Sequence, residues 1–490
     1  MHLALASVLT SPFALYAAPG ENIKGRWGTQ FNWPIIPIHA VLLPQGKVLT
    51  FGTDSKGKQG AQFNYDIWDP GKGTGKNSHQ SLPNKISTDI FCAATGLLPN
   101  GDVLIPGGDT RNPSNAGIKA TSIYRQGKQT LEATDEMNFA RWYPTVTTLP
   151  NGESLVHGGI DGGKAPVAAP EIFSKGSWRT VWGAANAEIV NKEARWFYPR
   201  NFVAPDGRLF GMSGGIMYYL DWQGDGDAEI VGNLPKRSRS STSTAVMFEP
   251  GKILQVGGKD TGSSGDLGSN KAIMVDITEG SPEVSNLADM AFKREWANAT
   301  VLPDGQVFIS GGSAKKNELV NPATTAELWN PKTRKFTQLA KAATARLYHS
   351  SALLLPDATV LVGGGGAPGP LTNLNAEIYY PPYLFDSAGN FAKRLKIDEV
   401  AAEQRYGRVT EVQFSGAGTV KRVTLVRTGA VTHSFDMSQR FLELEFTKEN
   451  GAVSVAMPDS SHIAPPGYYM LYLVNDKGVP SVSKIIRLVN

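Results

Sequence analysis

One unit recurs along this chain: an apolar stretch, a proline with a Gly or Asp just after it, a second apolar stretch, and then glycine. Its copies are LLPQGKVLTFG (42–52), LLPNGDVLIPGG (97–108), TLPNGESLVHGG (148–159), APDGRLFGMSGG (204–215), EPGKILQVGG (249–258), LPDGQVFISGG (302–312) and LLPDATVLVGGGG (354–366). The turn prolines Pro44, Pro99, Pro150, Pro205, Pro250, Pro303 and Pro356 are separated by 55, 51, 55, 45, 53 and 53 residues. Such a turn joins two antiparallel strands. The closing glycines mark places where φ must be positive or no side chain fits. Several copies continue into a third-strand signature: YDIWDP (65–70), TSIYR (121–125), PEIF (170–173), AELWNP (326–331) and AEIYYP (376–381). A unit of this size cannot bury its apolar face alone and must stack on the next copy, so the period predicts a repeat architecture.

Seven copies at roughly fifty-residue spacing predict a seven-bladed kelch-type β-propeller. The last copy reaches AEIYYP without a fourth strand, so GRWGTQFNW (25–33) is expected to supply it and close the ring. From 382 onward the repeat is gone. Alternating strands such as VTEVQFSG (409–416), KRVTLVR (421–427) and GYYMLYLVN (467–475) predict an immunoglobulin-like β-sandwich. The expected organisation is all-β: an N-terminal segment 1–24, a propeller over 25–381 and a sandwich over 382–490. Gly 53, Pro 31 and only 19% charged residues suit such a turn-rich chain. The net charge of +4 is spread without a basic stripe, which leaves no footprint for nucleic acid. Leu3 to Ala18 is apolar and ends in small residues, like a signal remnant, but no Lys or Arg precedes it. No later stretch is long and apolar enough to span a membrane.

The repeat also supplies a coordinate system. Seven residues before each turn proline stand Pro37, Cys92, Tyr143, Tyr198, Ser243, Trp296 and His349. Equivalent positions of a propeller lie at one mouth of its central channel. Here they include the sole cysteine of the chain, two tyrosines, a tryptophan and a histidine, with Tyr348 just before the histidine. Taken singly these residues read as core or as hydrogen-bonded plugs at a strand start. Together they form a convergent set of redox-capable and metal-capable side chains. Adjacent residues of a regular strand point to opposite faces, so Tyr348 and His349 can serve one site only if the strand begins there.

The stretches FCAATGLLPNG (91–101), ARWYPTVTTLPNG (140–152), ARLYHSSALLLPD (345–357) and VTHSFDMSQR (431–440) resemble the galactose oxidase/glyoxal oxidase family, in order and over nearly all of the chain from residue 25. The resemblance implies a copper radical oxidase. In it Cys92 and Tyr143 are joined by a thioether, the modified Tyr143 binds copper and holds a radical, and Tyr348 is the axial ligand that takes the substrate proton. His349 and His433 are the imidazole ligands, His433 being brought by the C-terminal domain. Two imidazoles and phenolate oxygens in a tetragonal arrangement suit Cu(II), and copper plus a ring radical accept two electrons where copper alone accepts one. The implied reaction oxidises a small aldehyde or primary alcohol and reduces O2 to hydrogen peroxide.

One departure stands out: the tryptophan that follows the Gly-Gly in galactose oxidase is absent from HGGIDGG (157–163), where Ile160 and Asp161 stand instead. A shielding ring would come from Trp142, Trp196 or Trp296, and the sequence does not choose. ARWYPTVTTLP and the lack of room for an extra N-terminal sugar-binding domain tilt the resemblance to the glyoxal oxidase side. His2, His39, His79, His157 and His462 match no family motif and are expected to be structural or solvated. A monomer, secreted or in the cell envelope, is expected. The rival reading is a non-enzymatic kelch propeller that binds a glycan or protein partner; it would need neither Cys92 nor the Tyr348-His349 pair with His433.

Overall fold

The computed structural model describes residues 20–490 apart from 87, 113, 192, 194, 261–266 and 450. The stretch read as a signal remnant, with His2, lies outside the described residues. Each of the seven hairpins forms the first two strands of its own antiparallel sheet, and the third-strand signatures occupy the third position. Burial falls from the first strand to the last. His39–Leu42 and Val48–Phe51 are buried throughout, whereas the outermost strands, such as His79–Pro83 and Lys335–Lys341, carry mostly exposed or half-buried residues. The first strands stand side by side: Asn298–Val301 lies between Thr244–Glu249 and Ser350–Leu354, and Ser350–Leu354 lies against His39–Leu42 of the first sheet. The series of sheets therefore returns on itself. The fourth position of the seventh sheet is filled by Arg26–Trp27 and Phe31–Asn32, which pair with Tyr379–Tyr380 and Asn375–Ala376.

Two contacts recur, one between neighbouring sheets and one within a sheet, and explain residues that the period alone left unassigned. The glycines that close a hairpin lie against the backbone of the next sheet. A Cβ on Gly107 would sit 2.3 Å from the Arg141 carbonyl oxygen, and Gly108, itself at φ 137°, donates its N–H to that same oxygen at 3.1 Å. Gly258 and Gly312 make the same bond to the carbonyls of Arg294 and Arg346, both at 2.7 Å. Those arginines are buried and each turns its guanidinium onto the third-strand glutamate of its own sheet. The pairs are Arg141–Glu171 and Arg294–Glu327 at 2.9 Å, and Arg346–Glu377 at 3.1 Å.

The C-terminal region forms two sheets around a separate apolar core. Leu395–Glu399, Val409–Gly416, Ala452–Ala456 and Phe446–Glu449 make one, and Gly467–Asn475 with Val420–Arg427 is the centre of the other. Ile397, Val412, Val423, Leu425, Val453 and Leu471 fill the space between them. No helix of the described residues is long and apolar enough to cross a membrane. Removing one partner of a buried ion pair strands the other charge away from water. Glu327→Ala is therefore expected to destabilise the chain by about 3–5 kcal/mol, read as a lower urea midpoint, whereas the exposed Lys315–Glu318 pair should be replaceable by alanines for about 0–1 kcal/mol.

Candidate metal centre

Five of the seven register positions share an unusual backbone. Cys92 (φ 56°), Tyr143 (63°), Tyr198 (37°), Trp296 (63°) and His349 (66°) all lie in the left-handed region, which L side chains seldom adopt. Regular pairing begins just after most of them, at Gly96, Arg200, Asn298 and Ser350. Tyr143 falls inside the strand Trp142–Thr148, but the ladder passes it by, pairing Trp142 with Ile160 and Pro144 with Gly158. Each such residue costs about 1–3 kcal/mol. Part of that cost is offset by bonds from one sheet to the next: Tyr143 N–H donates to the Cys92 carbonyl and Tyr198 N–H to the Tyr143 carbonyl, both at 3.0 Å. The left-handed turn swings these side chains together at one end of the sheets.

The seventh sheet has one residue more at this point. Arg141 precedes Tyr143 by two positions and Arg294 precedes Trp296 by two, but Arg346 precedes His349 by three. The anchor arginines are held alike, so the extra residue gives Tyr348 a place beside His349. Their rings stack with centroids 3.7 Å apart. His433 arrives from the C-terminal region on a hairpin. Ala430–Thr432 pairs with His39–Val41 of the first sheet, and Thr432 pairs with Phe435 around a two-residue turn, His433-Ser434, with φ of 48° and 65°. Positive φ at both central residues is the type I′ hairpin geometry. The imidazole thus sits at the tip of a strand pair that is hydrogen-bonded into another sheet.

The five candidates come together in one cluster, buried except for the half-buried Tyr348. The hydroxyls of Tyr143 and Tyr348 are 2.5 Å apart, the Nε2 atoms of His349 and His433 are 2.8 Å apart, and Cys92 Sγ lies 3.4 Å from His433 Nε2. Cys92, His349 and His433 offer ligand atoms that all lie within 4.8 Å of one another. His349 Nδ1 faces the Gly366 carbonyl at 2.7 Å, and a carbonyl can only accept. Nδ1 therefore carries the proton and Nε2 presents its lone pair to the cluster. His433 Nδ1 lies 2.6 Å from Thr432 Oγ1, which leaves its Nε2 directed inward.

Burial sets the protonation of every member. It pushes the Tyr143 and Tyr348 phenols and the Cys92 thiol well above their usual ranges, with the neighbouring Cys92 adding to it for both phenols. It draws His349 down to about 3 and, with His349 nearby, His433 well below the ordinary imidazole value. The isolated protein accordingly holds two neutral phenols, a thiol and two neutral imidazoles.

Other residues close the site. Trp142 stacks on Tyr143 with centroids 3.8 Å apart, Trp196 lies parallel to Tyr143 at 6.0 Å, and Trp296 packs on Tyr348 at 4.5 Å. Two of the three candidate rings thus face Tyr143 and the third faces Tyr348. Three neighbours were given no role by sequence reasoning. Tyr198 lies 4.7 Å from the His433 ring and donates its hydroxyl to the Ala93 carbonyl; its place in the register was the available signal. Thr432 had none beyond adjacency to His433. His39, grouped with the structural or solvated histidines, is fully buried, stacks on Phe51 at 4.3 Å and lies edge-on to His433 at 5.8 Å. His79 bonds Asp66 and His157 is buried near Asn201, both away from the cluster.

A family model described as "Glyoxal oxidase N-terminus" matches residues 74–383, and one described as "Galactose oxidase-like, Early set domain" matches 394–488. The chain belongs to the galactose oxidase/glyoxal oxidase family. It is 30% identical over 507 aligned residues to a galactose oxidase of Gibberella zeae, covering 96% of this chain and 72% of the relative. It is 24% identical to an aldehyde oxidase of Arabidopsis thaliana, covering 96% and 86%. Among solved structures, a fungal alcohol oxidase of the AA5 family in complex with copper superposes with a TM-score of 0.83 at 25% identity, covering 95% of this chain and 100% of that one.

The depressed His349 pKa has a consequence for stability. Below about pH 6.5 this imidazole gains a proton in the unfolded chain but not in the folded one until about pH 3. Acid therefore favours unfolding across that window, by up to about 1.4 kcal/mol per pH unit for this group. Urea unfolding of the metal-free protein between pH 7 and 4.5 should show a slope in stability that is shallower in His349→Gln.

Proposed function

We propose that this chain is a copper radical oxidase that oxidises small aldehydes or primary alcohols and reduces O2 to hydrogen peroxide, with Tyr143, Tyr348, His349 and His433 holding the metal. The seven sheets are then the blades of a kelch-type propeller, and the site lies at one mouth of its channel. The observation that carries the proposal is the convergence of two phenol oxygens, two imidazole nitrogens and one thiol from three sheets and the C-terminal hairpin into one largely buried cluster. The residues fit the metal. Two nitrogens about 2.0 Å from a metal and at right angles to each other lie about 2.8 Å apart, which is the His349–His433 Nε2 separation. Burial disfavours the phenolates, and a bound cation would reverse that.

Copper when bound supplies one electron acceptor, and the oxidised Cys92–Tyr143 ring supplies the other. Joining Cys92 Sγ to the Tyr143 ring removes one hydrogen from each residue, with O2 as the acceptor. Cys92 is placed for this by the backbone bond between its carbonyl and Tyr143 N–H. Trp142 covers the face of the Tyr143 ring and keeps water from it. Tyr348, with its oxygen 2.5 Å from that of Tyr143, is the group that takes the hydroxyl proton of the substrate. An alcohol or hydrated aldehyde gives up two electrons and two protons in all, the number that O2 takes up to become peroxide. The half-buried Trp196 and Phe197 beside Tyr143 favour a small substrate over a sugar, and the glyoxal oxidase match over 74–383 favours aldehydes. A secreted or cell-envelope location goes with this reading.

Loading the metal-free protein with Cu(II) in air tests it. The intact mass should fall by two hydrogens, and the tryptic peptides containing Cys92 and Tyr143 should become one. Cys92→Ala should abolish the joining and the peroxide released from a panel of aldehydes and alcohols. Tyr348→Phe should keep the joined peptide and lower turnover by about 10²–10⁴-fold, the usual contribution of a general base. Separate peptides after loading, with full peroxide release from Cys92→Ala, would rule the radical mechanism out.

A further inference from the structure

A small, partly open pocket lies where the C-terminal region meets the sheets. It is a cavity of about 20 Å³ lined by Asn201 and Val203 of the fourth sheet and by Arg427, Asp436, Ser438 and Arg440. That is room for one water or one monatomic ion. Arg440 is 4% exposed; its Nη2 donates to the Val203 carbonyl at 2.9 Å, and its Nη1 is buried without a hydrogen-bond partner. Arg427 is 5% exposed, and among its described bonds Nη2 donates to the Pro466 carbonyl at 3.1 Å.

The buried arginines at 141, 294 and 346 each have a glutamate within 3.1 Å. No ion pair joins Arg440 or Arg427 to a carboxylate among the described residues. Asp436 is the acid of this pocket, and its Oδ1 accepts the N–H groups of Ala430 and Ser438 at 2.9 and 3.0 Å. Two guanidinium groups thus share the pocket with one carboxylate already engaged by backbone. Burial and the nearby Arg427 pull Arg440 down to about 10, so it still carries its charge at neutral pH.

We propose that this pocket binds a single halide ion, chloride in solution, on Arg440 Nη1. The orphaned donor supplies direction, and the surplus guanidinium supplies charge. A water would satisfy the donor but leave the surplus charge buried. The ion would secure residues 436–440, the segment just after the hairpin that carries His433, against the fourth sheet. It would therefore strengthen the docking of the two regions. This inference does not depend on the identity of the metal or of the substrate.

Crystals of the full chain grown without chloride and soaked in bromide test it by anomalous diffraction. A bromide peak within hydrogen-bond distance of Arg440 Nη1, absent from Arg440→Gln, is expected; a pocket that holds only water in the soaked crystal overturns the proposal. Should Arg440→Gln fail to fold, the wild-type protein decides through its unfolding temperature. Chloride should raise it saturably, by about 2 °C or more, over gluconate at the same ionic strength. Equal temperatures in the two salts overturn the proposal.

Discussion

The structure depends on a left-handed backbone at the same place in several sheets. An ordinary strand entering there would send alternate side chains to opposite faces and would bring few of them to a common point. With φ near 60° at Cys92, Tyr143, Trp296 and His349, the chain turns just before or within the first strand, and side chains from separate sheets converge. The strain is held by neighbours. Backbone bonds from Tyr143 to Cys92 and from Tyr198 to Tyr143 link one sheet to the next, and the buried arginine–glutamate pairs fix the loop ahead of the strand. Backbone strain at a cluster of chemically capable residues is a common mark of a functional site.

The second dependency is between regions of the chain. The hairpin 430–436 extends the first sheet by three residue pairs and carries His433 to the cluster at its tip. Its turn requires positive φ at a histidine and a serine, neither of which is a preferred residue for it. The site is complete only when the C-terminal region is docked. The surface that docks it is polar as well as apolar: Arg440 donates to Val203, Arg422 to the Asp304 carbonyl and Thr424 to the Pro303 carbonyl.

Electrostatics at the cluster follow from burial. Burial disfavours every charged form, and the nearest fixed charges, Arg200 beside His433 and Asp89 and Asp109 beside Cys92, act in the same direction, so phenols and thiol stay protonated and imidazoles stay neutral. A group of this kind is poorly stabilised by itself and well suited to a cation, because the donors are already close together and the His349 tautomer is set by Gly366. Pre-organisation of this sort moves the cost of assembling a site from metal binding to folding.

Sequence alone determined the repeat and its register. Period, turn prolines and closing glycines are local requirements of a hairpin, so they survive as pattern, and counting back from each proline brought out Cys92, Tyr143 and His349 as equivalent positions. Segment 25–33 as the missing strand followed from the count of strands. The family resemblance added Tyr348 and His433. Only the tertiary structure decided the rest, because it depends on contacts between residues far apart in the chain. The extra residue between Arg346 and His349 becomes meaningful only once Arg346 is seen bound to Glu377. The choice among three tryptophans needed ring positions, and it put Trp142 and Trp196 against Tyr143 and Trp296 against Tyr348. His39 read as an ordinary histidine until the hairpin of His433 was found paired beside it. A repeat writes its own strands into the sequence; what one strand meets across a sheet boundary is written nowhere in it.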